Sequence, residues 1–417
     1  MQNFPLRWSH WTSRSRASRA RFAGGGAPLR SGLFTHEQLA AHARQLAATH
    51  RTEQRLEPNG LLANLAANED VIRTFNQTTS AGDKDRRIAP AAEWLIDNFY
   101  LIEEQIQLAR RHLPRGYSRE LPRLVNTSSA GLPRVYDIIL ELLCHVDAQM
   151  DQDPLRAFIT AYQEVASLTL GELWAIPIMM RLGLIENLQR ITTRLVSAEA
   201  DRGEAHQWVD RLQEMAEDSP SNLVVVVADM AKAELPLSSA FVAEFSQRLS
   251  RQSPLLHFAR SWLEQRLVEI GPSIEELIQK ETQLQAADQV SVSHCIASLR
   301  FLSAIDWKQF VEDLSGVDTI LREDPAGVYS EMDFATRDRY RHAVETLSRN
   351  SKFLETEVAR KAIELAAAGA AAGAAHRSDL VADVDADGEA EGRHDDRLPR
   401  PREAVADDAV LPRVGLR

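Results

Sequence analysis

The chain has 417 residues, 44% of them apolar and 26% charged, with two cysteines and a formal net charge of −12. That length and apolar content sustain a sizeable core, and Cys144 and Cys295 alone cannot build a disulfide scaffold, which suits a reducing compartment. The acidic balance argues against a nucleic-acid binder.

Residues 1–33 form a basic arm, expected to be disordered. Arg14, Arg16, Arg19 and Arg21 lead into Gly24-Gly25-Gly26, and residues 1–30 contain no acid at all. No apolar stretch follows the arginines, so this is not a secretory leader. Trp8 and Trp11 among the arginines suit contact with a membrane surface. The apolar run Leu173 to Met180 is far short of the roughly 18–20 residues of a membrane span.

Order is expected from Thr35, where Thr35 and Gln38 make a capping box before Leu39, Ala43 and Leu46. A second helix covers Leu61 to Phe75. The strongest pattern runs from Gly82 to Gly116. Ala92, Leu95, Ile96, Phe99, Ile102, Ile106, Ala109 and Leu113 recur every three or four residues, which predicts one amphipathic helix of about six turns. Pro90 suits its first turn, and Arg110, Arg111 and His112 complement the dipole at its end.

Leu121-Pro122, Asn126 to Ser129 and Gly131-Leu132-Pro133 then mark a long loop. Helix starts follow at Asp153-Pro154, Ser219-Pro220, Ser253-Pro254 and Ser273 with Glu276. Pro177 should kink or split the helix around it. The β-branched run Val224 to Val227 has strand propensity, but its setting favours a buried helix. No strict repeat period is present, so the expectation is an all-α, irregular multi-helix array over residues 34–366. Trp94, Trp174, Trp208, Trp262 and Trp307 serve as its core anchors. Phe353 is the last aromatic residue, and the Ala/Gly-rich, then Asp/Arg/Pro-rich tail of residues 367–417 is expected to be disordered.

Arg86-Arg87-Ile88-Ala89-Pro90-Ala91-Ala92-Glu93-Trp94-Leu95 with Asp97-Asn98-Phe99-Tyr100 resembles the N-terminal region of the bacterial cyclic β-1,2-glucan synthases. So do Arg110 to Ser118, Gly171 to Pro177, Ser253 to Ala259 and, most clearly, Asp324 to Arg341. The resemblance spans roughly residues 33 to 366. It implies a parent enzyme that is embedded in the bacterial inner membrane and polymerises glucose from UDP-glucose with a divalent metal. The present chain would be a piece of it on the cytoplasmic side, partnered by the remainder of the synthase. The tail departs from the family pattern, as premature termination or a frameshift near residue 366 would make it do.

The chain itself offers little catalytic chemistry. Asp151-Gln152-Asp153 and Asp383-Val384-Asp385 fit the letters of a nucleotide-sugar metal motif, but neither adjoins an apolar strand. There is no Walker-type phosphate loop. Cys144-His145 and His294-Cys295 invite a zinc site, yet adjacent helical residues point about 100° apart, and core packing is the better reading. Glu103-Glu104 fail as an acid/base pair for the same reason. No catalytic, cofactor or metal residue is therefore assigned.

The best candidate is an interface. Tyr329, Glu331, Asp333, Arg337, Asp338, Arg339, Tyr340 and Arg341 concentrate charge beside two tyrosines, with Arg341 placed to pair with Glu345 one turn on. The rival account is a capped helix with a salt-bridged face. If these ion pairs are exposed, Arg337→Ala with Arg341→Ala should leave the melting temperature almost unchanged. Asp83, Asp85, Arg86 and Arg87 form a second candidate cluster. The functional expectation is a scaffold or docking region of the synthase without its own catalysis. The alternative is a stand-alone helical adaptor that binds another protein.

Overall fold

The computed structural model describes Leu29 and residues 32–386, except 54–59, 82–87, 114–116, 118, 119, 128, 234 and 251–255. The basic arm through residue 28 and the tail beyond 386 lie outside the described residues. So does the cluster Asp83, Asp85, Arg86 and Arg87.

The fold is helical almost throughout. Helix α1 (His36–Thr49) opens on the expected capping box of Thr35 and Gln38. Helix α2 (Leu61–Ser80) follows, then α3 (Pro90–Asp97) and α4 (Phe99–His112). Helices α5 (Arg134–His145) and α6 (Gln152–Gln163) lead to α7 (Leu170–Asp218). After a 3-10 turn at Pro220–Asn222 come α8 (Leu223–Lys232), α9 (Ser239–Leu249), α10 (His257–Val268) and α11 (Ile274–Ala304). The short helices α12 (Trp307–Leu314), α13 (Gly316–Leu321) and α14 (Val328–Glu331) precede α15 (Phe334–Arg349) and α16 (Glu355–Ala386).

The spine is α7, 49 residues long and about 70 Å from end to end. Its first half, from Leu170 to Leu195, is buried in a main core shared with α2, α4, α5 and α11. Its second half contributes Ala205, Val209 and Leu212 to a separate core with α8 to α11. A third, small core joins α13, α14, α15 and α16 through Val317, Ile320, Tyr329, Val344 and Ala359.

Pro177 does not split this helix. The residues from Ala175 to Ile185 are buried on every side, so tertiary packing overrides the lost backbone bond. Gly183 permits the closest approach. A Cβ there would lie 2.7 Å from Leu143 and 3.2 Å from Leu140 of α5.

The predicted six-turn helix is instead two helices that meet at Asn98. The Asn98 amide donates to the Trp94 carbonyl at 2.9 Å and accepts from Arg300 of α11 at 2.7 Å. A side chain that competes for the backbone in this way ends the first helix. The break lets α3 pack on α11 while α4 packs on α7 as well as α11. Trp94 is correspondingly half-exposed and no core anchor, whereas Trp174, Trp208, Trp262 and Trp307 pack against the cores.

The expected loop after α4 contributes a small exception to the all-α rule. Thr52–Glu53 (β1) pairs antiparallel with Arg123–Leu124 (β2), in the register Thr52 to Leu124. Asn126 clips this pair to α1 by donating to the Thr49 carbonyl at 2.6 Å and accepting the Arg51 N–H at 2.9 Å. The run Val224 to Val227 is helical, within α8. At the other end, α16 continues through the Ala-rich stretch to Ala386 and does not stop at residue 366. Alanine has the highest helix propensity of all residues, which outweighs the glycines between.

Candidate docking surface beside a buried ion network

The segment Tyr329 to Arg341 is divided by the fold into an inward and an outward set. Asp324 sets up the approach. Its carboxylate accepts the backbone N–H groups of Val328 at 3.0 Å and Tyr329 at 3.2 Å, and Gly327 supplies the left-handed turn at φ 71°. Asp333 is the N-cap of α15, accepting the Thr336 N–H at 2.6 Å. That bond, chiefly, holds its carboxyl below the usual range.

Arg341 faces inward and is only 1% exposed. Its Nη1 donates to Glu312 Oε1 at 2.7 Å and to Asp318 Oδ1 at 2.8 Å, and its Nη2 to Asp338 at 3.2 Å. Its guanidinium also lies 5.0 Å from the centre of the Phe334 ring. Arg337 grips Glu312 with a two-pronged bond at 3.0 and 2.9 Å. Tyr329 donates its hydroxyl to Asp318 at 2.8 Å, and Arg322 meets the other Asp318 oxygen at 2.6 Å. Burial alone would push the Glu312 carboxyl up, but the bonds from Arg337 and Arg341 draw it below the ordinary value. Burial and Asp318 push the Tyr329 hydroxyl up.

Two readings of the sequence change here. Arg341 pairs with Glu312, Asp318 and Asp338, while Glu345 pairs with Arg349 at 2.7 Å. The Arg341 bonds are not the exposed surface pairs assumed from sequence, so truncating Arg337 and Arg341 must cost stability. Glu312 and Asp318 went unnoticed because they sit on α12 and α13, and no local spacing links them to α15.

The outward set is Glu331, Asp333, Arg339 and Tyr340. Tyr340 is 47% exposed although its ring meets Tyr329 edge-on at 6.1 Å. Leu347 lies two turns further on, on the same face of α15, and is 60% exposed. Phe353 and Leu354, in the turn after α15, are equally open. An apolar stripe therefore runs beside the charged N-terminal turn of α15, with the arginine network as its rigid backing.

The remaining sequence candidates fall elsewhere. Asp151 is the exposed N-cap residue of α6, and Glu103 pairs with Arg73 of α2 at 2.9 Å. The side chains of Asp383 and Asp385 lie outside the described residues. Cys295 is buried in the main core and accepts from Asn187 at 3.3 Å. His294 bonds the Asp147 carbonyl at 3.1 Å. His145 joins His42 and Glu141, a grouping that sequence spacing did not reveal. None of these arrangements fits the carboxylate pair that holds a nucleotide-sugar metal. A buried chain of Ser129, Asp137 and His50 is also ordered unlike a nucleophile relay. The Ser129 hydroxyl donates to Asp137, and His50 bridges Asp137 at 3.1 Å and the Tyr162 hydroxyl at 2.9 Å. It fastens the loop before α5 to α1 and α6.

No family model matches the chain. Over 297 residues, 71% of its length, it is 31% identical to the cyclic beta-(1,2)-glucan synthase NdvB of Rhizobium meliloti (strain 1021). The chain is related to the cyclic β-1,2-glucan synthases. The match spans only 10% of the length of that synthase. Among the described residues, no helix is long and apolar enough to cross a membrane.

Proposed function

We propose that this chain is a helical scaffold of a cyclic β-1,2-glucan synthase, which docks onto the remainder of the enzyme and transfers no glucose itself. The observation that carries the reading is the match of most of this chain to one tenth of a far longer synthase. Glucan synthesis from UDP-glucose with a divalent metal, on the cytoplasmic side of the inner membrane, then belongs to the other nine tenths. The stripe of Tyr340, Leu347, Phe353 and Leu354, flanked by Glu331, Asp333 and Arg339, is the docking face. Exposed aromatic and aliphatic side chains with a polar border are what an interface centre requires. The buried arginine network keeps that face in one conformation, so that docking costs little ordering entropy.

Two assays on purified material test this. Incubated with labelled UDP-glucose and Mg²⁺ or Mn²⁺, the chain alone should incorporate no label above a boiled control. Incorporation would show that it carries a transferase site. Mixed with a detergent-solubilised synthase lacking the corresponding region, it should co-elute with that protein, and failure to do so would count against docking.

A further inference from the structure

Three side chains outside the docking face converge where α1 meets α5. Glu141 and His145 lie one turn apart on α5 and so share a face. His42 comes from α1, a hundred residues away in sequence. One ligand atom from each lies within 4.8 Å of the others. His42 Nε2 is 3.0 Å from Glu141 Oε2, and His145 Nε2 is 3.8 Å from the same oxygen. All three side chains are at least three-quarters buried.

The surroundings fix the imidazoles. His145 Nδ1 lies 3.0 Å from the Gly32 carbonyl, which can only accept, so Nδ1 carries a proton and Nε2 is the nitrogen turned toward Glu141. A backbone carbonyl on the far nitrogen is the usual outer partner of a metal-bound histidine. Phe34 stacks flat on the His145 ring at 3.7 Å and meets His42 edge-on at 5.6 Å. The Phe34 N–H also donates to the His145 carbonyl at 3.1 Å, so the segment before α1 closes over the site.

We propose that His42, Glu141 and His145 bind a divalent transition metal of the zinc type. Zinc–nitrogen and zinc–oxygen bonds of about 2.0–2.2 Å place tetrahedral ligand atoms about 3.3 Å apart. The observed 3.0 and 3.8 Å bracket that spacing. Two imidazoles and one carboxylate are a donor set for zinc, cobalt or iron, not for magnesium or calcium. Three protein ligands leave a fourth position for water. Binding displaces the proton that His42 Nε2 shares with Glu141, which moves to Nδ1 of a neutral His42 or leaves to solvent from an imidazolium. The ion clamps α1 and the segment before it onto α5. The metal-free rival is a His42 imidazolium paired with Glu141.

The test uses the full chain, stripped with a chelator and titrated with Co²⁺ and then Zn²⁺. The expected result is one equivalent of Co²⁺ with visible d–d absorption, no sulfur charge-transfer band, displacement by Zn²⁺ and a raised melting temperature. His42→Ala and Glu141→Gln should each weaken binding by more than about a hundredfold, beyond the 10–100-fold cost of disturbing an outer partner. Cys144→Ala with Cys295→Ala should bind as the unaltered chain does. If a ligand variant fails to fold, the cobalt spectrum of the unaltered chain still decides. No visible band, a sulfur band, or binding unchanged in a folded His42→Ala chain would overturn the assignment.

Discussion

The Glu355 carboxylate accepts the backbone N–H of Leu170 at 2.8 Å, so the last helix caps the first turn of the spine helix. Burial pushes this carboxyl up to about 7, against the pull of the Leu170 bond, and the nearby Glu345 and Glu172 add to the rise. The folded protein therefore holds a proton that an unfolded glutamate, at 4.5, gives up sooner. Stability falls as pH rises from about 4.5 to about 7, by about 3 kcal/mol at most, and is flat above. Glu355→Gln keeps an oxygen for Leu170 and removes the charge. Its melting temperature should exceed that of the unaltered chain at pH 8 and match it near pH 4. Equal melting at pH 8 would contradict the raised value.

Arg341→Ala removes one partner from each of the buried carboxylates Glu312 and Asp318, which keep Arg337, Arg322 and Tyr329, and should cost about 1–3 kcal/mol. Arg339→Ala, at an exposed position of the same helix, should stay within about 0.5 kcal/mol. Urea titration of the two variants checks the contrast. Equal stability would mean that the inward and outward division of α15 is wrong.

Gly183→Val should destabilise by about 1–3 kcal/mol, since the new side chain is driven into the ends of the buried Leu143 and Leu140. Leu143→Ala in the same chain should recover part of the loss. Chemical denaturation of the single and double variants measures it. An additive double variant would show that α7 and α5 do not approach as closely as this.

What the sequence made legible was what is local. Thr35 with Gln38 and Ser273 with Glu276 named the starts of α1 and α11, because a capping box is written within four residues. Asn98 was not legible as a break, since its effect depends on Arg300 of α11 arriving to hold its side chain. Pro177 did not split its helix for the opposite reason: burial on all sides outweighed a local rule. The interface candidate was drawn as one charged segment, and nothing local told the buried Arg341 apart from the exposed Arg339. That distinction is made by Glu312 and Asp318, on helices of their own. In the same way, the spacing of Glu141 and His145 was readable, whereas His42 joins them only through the packing of α1.

The central claim is that this helical region docks through the outer face of α15. It is tested most directly by the glucan output of a full-length synthase carrying this region with Tyr340→Ala and Leu347→Ser. Both positions are exposed, so the isolated double variant should melt as the unaltered chain does. Loss of an interface centre costs about 2 kcal/mol or more, so output from UDP-glucose should fall roughly thirtyfold with the enzyme still present in the membrane. Unchanged output from a stably produced variant would contradict the docking account.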